Sequence, residues 1–319
     1  MLKSVLTAVW NLLNNFNQRI EMKKQVLFVL LLSQLTIPFV SNAQKTDDLL
    51  SLVDDGKPKK EFVKYAFKSP RVINGNSMEF LAPGVMDFRI LHRFGQIDQG
   101  YKNFFGLDQA SMRMSFDFGI KRNLMFGVGR STFKKELDGQ IKYAPLMQST
   151  GQGAFPFTLA MVAGMTMNTL PWADPSRNNY FSSRLAYYYQ AIVGRKFSEN
   201  LSLQISPTMV HNNLVPLSSQ PNDIFAMGFG GRYKLSKRIA LTWDYFYLFN
   251  GIQKGVNYNP LSLGMDIETG GHVFQLHVSN SSGMNERAFI TETTNTWSKA
   301  ELRFGFNLSR VFQLKKKPI

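Results

Sequence analysis

The sequence predicts an all-β protein: a transmembrane antiparallel β-barrel of about 12 strands with a short N-terminal periplasmic segment. Three observations carry this prediction. From residue 85 onward hydrophobicity alternates with a period of two, which is typical of strands with one apolar and one polar face. The alternating segments are roughly 8–14 residues long, which brackets the ~9–11 residues that a strand needs to cross a bilayer. The connections between them alternate between short and long.

The alternation is clearest in residues 111–118, written SMRMSFDF, where every second residue is apolar. A helical period does not fit this pattern, because apolar residues would then recur every three or four positions. Similar patterns define the expected strands, which are 85–95, 110–119, 123–132, 139–148, 155–168, 183–196, 201–211, 223–235, 238–249, 261–269, 272–279 and 299–312.

The connections are sorted by length. Short turns are expected at 121–123, 198–200, 236–237 and 270–271, and long loops at 96–109, 169–182, 212–222, 250–260 and 280–298. Two connections depart from this order, a short one near 136–138 and a longer one at 149–153. Short periplasmic turns, long external loops and an even strand number are typical of a membrane barrel, whose closure leaves no unpaired edge in lipid. A secreted soluble β-sandwich that binds a ligand is the alternative fold, but it would not need sorted loops.

The N-terminal region predicts export. A basic start at 22–24 precedes an apolar stretch at 26–40 and the small residues Ser41-Asn42-Ala43, which together are typical of a signal peptide. We therefore assign 1–43 to an upstream extension and signal peptide, and 44–84 to a periplasmic segment or partial plug. Residues 85–314 form the barrel and 315–319 a basic tail. The expected location is the outer membrane.

Composition narrows the function classes. The chain has 37 Lys and Arg against 22 Asp and Glu, a net charge of +15, and no cysteine. The absence of cysteine excludes disulfides, thiol nucleophiles and Cys-ligated metals. After residue 43 the charge is +12, of which +9 lies on the predicted periplasmic side. Nucleic acid is not an expected partner, since the aromatic residues face lipid. The basic collar would suit outer-membrane lipids with anionic headgroups, or a periplasmic protein partner.

The parity of the strands directs a set of charged side chains into the lumen. Two interpretations stay open: a network of ion pairs that fills a small barrel, or a weakly anion-preferring constriction. No cofactor and no metal is expected. The predicted lumen-lining residues are Asp87, Arg89, Arg93, Arg113, Asp117, Arg232, Asp244, Asp266 and Arg303.

One short motif suggests chemistry. His277-Val278-Ser279-Asn280 resembles the His-x-Ser-Asn signature of outer-membrane phospholipase A and the lipid A deacylases. That resemblance implies His277 as general base and Ser279 as nucleophile. The family's third residue, about fourteen positions after the histidine, would fall at Thr291, so Glu292 beside it is the substitute candidate. Parity places His277 and Ser279 inside the barrel, whereas a lipid hydrolase presents its site to lipid.

Longer motifs resemble an uncharacterised family of Gram-negative outer-membrane barrels. These motifs are SPRVING at 69–75, GVMDFRILHRFG at 84–95, FFGLD at 104–108, GVGRSTF at 127–133 and GGHVFQLHVSNSSGMNERAFI at 270–290. The resemblance covers most of 47–314 and implies an outer-membrane barrel without an established substrate. We therefore expect a narrow channel or a structural and interaction barrel, with the lipid hydrolase and the soluble sandwich as alternatives.

Overall fold

The computed structural model describes residues 59–314 except 216, 219, 254, 270 and 271. The predicted signal peptide, the basic tail and the turn at 270–271 lie outside the described residues. The strands are β1 (Glu61–Phe62), β2 (Val85–Gln96), β3 (Ala110–Lys121), β4 (Leu124–Ser131), β5 (Leu137–Leu146), β6 (Ser149–Thr150), β7 (Thr158–Met167), β8 (Leu185–Lys196), β9 (Leu201–Asn212), β10 (Asp223–Lys234), β11 (Ile239–Leu248), β12 (Leu261–Thr269), β13 (His272–Ser279) and β14 (Arg303–Gln313). The helix α1 spans Glu286–Thr291.

Twelve strands, β2–β5 and β7–β14, form one closed antiparallel barrel. Each pairs with the barrel strands before and after it along the chain, and β14 pairs with β2. β1 and β6 form a separate two-stranded ribbon. The predicted strand number and barrel class are therefore confirmed, and the two-sheet sandwich is wrong. No helix among the described residues is long and apolar enough to cross a membrane.

The inner and outer faces follow the predicted alternation. On β3, Arg113, Ser115 and Asp117 are buried, whereas Met114 and Phe116 between them are about 40% exposed. The same pattern runs around the barrel and leaves an outer wall of exposed Ile, Leu, Met, Phe and Tyr. Such a wall is stable when it faces lipid, because contiguous apolar area of this size is otherwise costly.

As predicted, the short turns and the long loops lie at opposite ends of the barrel. Two residues, Arg122 and Asn123, join β3 to β4, whereas 168–184 join β7 to β8 at the opposite end. The last strand begins four residues later than predicted, at Arg303. A 3-10 turn, Trp297–Lys299, is followed by Ala300 with φ of 55°, a left-handed conformation that a strand cannot contain.

The interior of the barrel is packed. One sector of the wall, on β5 and β7–β11, is apolar and includes Val162, Tyr188 and Phe246. Phe67 and Val72 of the N-terminal segment and Phe289 of α1 pack against it. The barrel thus contains a small hydrophobic core of its own, beside the buried charged side chains of the wall.

Candidate functional site in the barrel lumen

The predicted lumen-lining charges lie on the inner face, and most of them are fully buried. Asp87, Arg89, Arg93, Arg113, Asp117, Arg232, Asp244 and Asp266 are each at most 5% exposed, and Arg303 is half-buried. The strands position them by alternation alone, since every second side chain points inward.

Some of these charges pair with one another or with nearby carboxylates. Arg89 contacts Asp87 at 2.6 Å, and Arg113 forms a two-point contact with Asp138. The closest atoms of Arg232 and Asp266 are 3.8 Å apart. These ion pairs partner part of the buried charge of the wall, which lowers the free-energy cost of holding that charge away from bulk water.

Residues 70–77 form a hairpin that lies inside the barrel. The Val72 amide donates to the Gly75 carbonyl at 2.9 Å, and the Ser77 amide donates to the Pro70 carbonyl at 2.9 Å. The bend spans residues 72–75, and neither Asn74 nor Gly75 adopts the positive φ of a two-residue type I′ turn. We name residues 66–81 the inner segment.

Asp244 on β11 holds the tip of this hairpin. Its Oδ2 atom accepts hydrogen bonds from three successive main-chain amides, those of Ile73 (3.3 Å), Asn74 (2.7 Å) and Gly75 (3.0 Å). A concavity of successive amides is a general way to hold an anion without a cation. A side chain at Gly75 would force the Phe246 ring to shift, since an added Cβ atom would lie 2.8 Å from it.

Polar side chains of the wall, all of them uncharged except Lys142, hold the rest of the inner segment, mostly through its main chain. The contributing strands, β5, β9, β12, β13 and β14, lie on different sides of the closed barrel, so the segment must occupy the lumen. The contacts are Asn74 Nδ2 to Ser262 Oγ (2.8 Å), Gln275 Nε2 to the Val72 carbonyl (2.6 Å), Asn307 Nδ2 to the Ile73 carbonyl (3.2 Å), Gln204 Nε2 to the Asn76 carbonyl (2.7 Å), the Met78 amide to Gln204 Oε1 (2.9 Å) and Lys142 Nζ to the Glu79 carbonyl (2.6 Å).

The loop after β13 enters the lumen from the other end and meets the inner segment. Asn285 caps α1 by accepting a hydrogen bond from the Ala288 amide at 2.8 Å. Glu286 then receives two bonds from the Arg71 guanidinium, at 2.9 and 3.2 Å, and a third from Asn76 at 2.7 Å. A carboxylate on one loop thereby closes against a hairpin from the opposite end of the chain.

Arg93 ties three elements together. From β2 its guanidinium donates to the carbonyls of Ser281 (2.8 Å) and Gly283 (3.0 Å) in the loop, and also to Asn74 of the inner segment. No ion-pair partner of Arg93 is found among the described residues. Arg93 therefore acts as a donor to main-chain and amide oxygens, unlike the paired arginines of the wall.

The mouth at the long-loop end of the barrel carries a second ion cluster that the sequence did not predict. Arg287 contacts both Glu136 and Glu292, and Lys134 reaches Glu292 at 2.7 Å. Burial raises the pKa of Glu292, but the charges of Arg287 and Lys134 outweigh burial and hold that pKa below its ordinary value. Burial raises the pKa of Glu136 above its usual value, although Arg287 opposes the shift.

The candidate hydrolase residues do not form a triad. His277 and Ser279 are both buried on the inner face of β13, away from lipid. The hydrogen-bond partners of the Ser279 hydroxyl are Ser262 Oγ at 2.9 Å and the Ser281 amide at 3.1 Å. His277 Nε2 lies 3.3 Å from the Arg93 guanidinium, and Glu292 is engaged in the mouth cluster. Among the described residues, His277 and Ser279 share no hydrogen bond, and the side-chain partner of His277 is Arg93 and not a carboxylate.

Residues 67–312 match the family model described as a membrane-bound β-barrel domain (DUF5777). The chain belongs to this family. The matched range begins within the inner segment, so that segment is part of the family's domain together with the barrel wall.

The solved structures to which this chain is similar share little sequence identity with it. The NanC porin is 8% identical with a TM-score of 0.44, and the match covers 71% of this chain and 98% of that one. The KdgM porin is 8% identical with a TM-score of 0.42, covering 72% and 99%. OmpT of Vibrio cholerae is 10% identical with a TM-score of 0.33, covering 71% and 77%. Curated proteins yield no match.

Proposed function

We propose that the protein is an outer-membrane channel that its own inner segment closes at rest. The observation that carries this proposal is the contact between Asp244 and the three amides of residues 73–75. A buried carboxylate is costly unless its oxygens are satisfied, and here main-chain donors of the inner segment supply the hydrogen bonds. The wall is therefore complementary to an occupied lumen.

Closure is supported by the distribution of the contacts. The inner segment bonds to strands on several sides of the barrel, and α1 covers it from the external end through Glu286. An open pore would instead keep its lining charges in water, where they could attract or exclude ions.

A channel is favoured over a purely structural barrel because the wall that holds the inner segment is largely polar. Asn, Gln, Ser and Asp side chains can exchange their hydrogen bonds for water when the segment withdraws. An apolar interior could not be hydrated in this way. A purely structural barrel could have an apolar interior throughout, because its lumen would never need to admit water. Withdrawal would leave a polar passage lined by the charges that the sequence directs inward.

A disulfide lock tests the proposal, and the natural chain has no cysteine to interfere. The double variant N74C/S262C joins the hairpin to β12 at two side chains now in contact at 2.8 Å. The matched control S262C/S279C joins two paired wall residues, whose hydroxyls are 2.9 Å apart, and leaves the hairpin free. Planar-bilayer current is recorded under increasing voltage, before and after reduction.

We expect the oxidised N74C/S262C protein to stay silent at voltages that open the parent, and reduction to restore the current. The S262C/S279C control should conduct in both redox states. Parent-like current through the oxidised lock would show that the hairpin is not the gate. A parent that never conducts at any voltage would contradict a channel and leave a structural barrel.

A further inference from the structure

A cavity of about 500 Å³ lies at the rim where the short turns are, outside the lumen site. It is enclosed by the β3–β4 turn, the connection after β5 and the start of the described chain. Its lining combines two cations with aromatic and aliphatic side chains, and includes Lys60, Phe62, Arg122, Leu146, Met147 and Phe155.

The two cations of this cavity are arranged around one aromatic ring. The Lys60 ammonium is 5.6 Å from the centre of the Phe62 ring, and the Arg122 guanidinium is 4.7 Å from it. Cation–π contacts of this kind hold a positive group in place without neutralising its charge. Lys60 and Phe62 share one face of an extended segment, so Glu61 between them points to the other face.

Neither cation has an anionic partner among the described residues, where the salt bridges of the structure involve other lysines and arginines. Both side chains are exposed. Two like charges held near one ring repel each other, and an anion placed between them would relieve the repulsion. The cavity is thus complementary to a ligand with a negative head.

The cavity lies where the lipid-facing wall ends. Ile120 at the end of β3 and Tyr143 on β5 are 49% and 46% exposed on the outer face, and the lining begins directly beyond them. Leu146 and Met147 continue this apolar surface into the cavity. A ligand that fits would carry an apolar tail on the membrane side and an anionic group on the rim side.

We propose that this cavity binds the phosphate headgroup of an anionic phospholipid from the periplasmic leaflet. Arg122 and Lys60 would donate charge-assisted hydrogen bonds to the phosphate oxygens, a pairing for which guanidinium geometry is well suited. Leu146, Met147 and Phe155 would contact the first carbons of the acyl chains. The proposal requires the short turns to face the periplasm, as is usual for membrane barrels, and does not depend on channel activity.

Native mass spectrometry of the full-length protein in detergent tests this site, with lipid occupancy measured during titration. The probes are dioctanoyl phosphatidylglycerol, dioctanoyl phosphatidylcholine and inorganic phosphate. The test variant is K60Q/R122Q. The matched control, K237Q/R238Q, removes the same charge from the β10–β11 turn on the same rim, where both residues are exposed and outside the cavity.

We expect the parent to prefer phosphatidylglycerol to phosphatidylcholine, and K60Q/R122Q to bind phosphatidylglycerol about tenfold more weakly. The K237Q/R238Q control should retain parental affinity. The single variants K60Q and R122Q, each changing one exposed residue, should show intermediate losses and provide the test if the double variant does not fold.

Three results would overturn the proposal. An equal loss in K237Q/R238Q would indicate a general effect of the basic collar. Competition by inorganic phosphate at the concentration at which the lipid binds would identify a site for soluble anions. Equal occupancy by phosphatidylglycerol and phosphatidylcholine would show that the cavity does not recognise an anionic headgroup. It would favour a periplasmic protein as the partner of Lys60 and Arg122.

Discussion

Arg71 of the inner segment and Glu286 of α1 form a two-point ion pair inside the barrel, and each side chain is only 1% exposed. The two residues enter the lumen from opposite ends and lie 215 positions apart in the sequence. A buried pair of this kind contributes little net stability, but the loss of one partner leaves an uncompensated charge. The pair therefore couples the position of the inner segment, which enters the lumen at one end, to the position of α1, which enters at the other.

The first prediction concerns this pair. R71M and E286Q should each lower the free energy of unfolding by roughly 3–5 kcal/mol, because each leaves the other charge buried without its partner. The double variant should lose less than the sum of the two single losses, since neither charge then remains. Urea unfolding in lipid vesicles measures the free energy of unfolding of the parent, the two single variants and the double variant. Strictly additive losses would show that the two groups are not coupled.

The second prediction concerns Asp244. D244N should destabilise the protein by about 3 kcal/mol, since the amides of residues 73–75 would lose a charged acceptor within the lumen. It should also lower the voltage at which bilayer current begins. D174N, in the exposed loop between β7 and β8, is the matched control and should change neither quantity. An unchanged voltage threshold in a folded D244N protein would argue against Asp244 as the anchor of the hairpin.

The third prediction concerns the fit of the hairpin against the wall. G75A should destabilise the closed barrel by about 1–3 kcal/mol, because its Cβ would meet the Phe246 ring at 2.8 Å. Combining it with F246L should recover part of the loss. G139A is the control, since the nearest atom to its new Cβ is 3.8 Å away. Equal thermal midpoints for G75A and G139A would contradict the close packing.

The fourth prediction is a pH dependence at the long-loop mouth of the barrel. The pKa of Glu292 lies below its ordinary value of 4.5, so its ionised form stabilises the folded state. That stabilisation is present above the unfolded pKa and is lost as pH falls through the folded pKa. Between about pH 5 and pH 3, E292Q should therefore lose less stability than the parent. Identical slopes of unfolding free energy against pH would show that Glu292 does not contribute.

The fifth prediction addresses the His-x-Ser-Asn motif. Purified protein should not cleave phospholipid or lipid A, and S279A should match the parent in this assay, because the neighbours of the Ser279 hydroxyl are Ser262 and Ser281. S279A should instead cause a modest loss of stability, about 1 kcal/mol, through the lost hydrogen bonds. Lipid cleavage by the parent that S279A abolishes would restore the hydrolase hypothesis.

The barrel could be predicted from the sequence because its signals are local. Alternation along each strand sets which side chains point inward, and the result holds for Arg113 and Asp117 as well as for Met114 and Phe116. Connection lengths decide which end of the barrel carries long loops. The start of β14 was misplaced because the positive φ of Ala300 leaves no trace in a hydrophobicity pattern.

The lumen site could be predicted only in part. The charged residues were expected inside, but their partners were not, and the uncharged Gln204, Gln275 and Asn307 were overlooked. Their hydrogen bonds go to main-chain atoms of the inner segment, more than a hundred positions away, so residue type alone does not reveal them. The Asn74-Gly75 pair is a common hairpin marker, but it lacks the type I′ backbone here and does not indicate where the hairpin lies.

The sequence by itself determined the strands, their number and the inward or outward direction of each side chain, because these follow from a period of two along a short stretch of chain. Tertiary structure alone decided that residues 66–81 and α1 occupy the lumen, and which wall residues hold them. That outcome depends on closure of the barrel, which brings Asp244, Arg93 and Glu286 around one hairpin. Contacts between residues so far apart in the sequence form only after every strand has paired with its neighbours in the barrel.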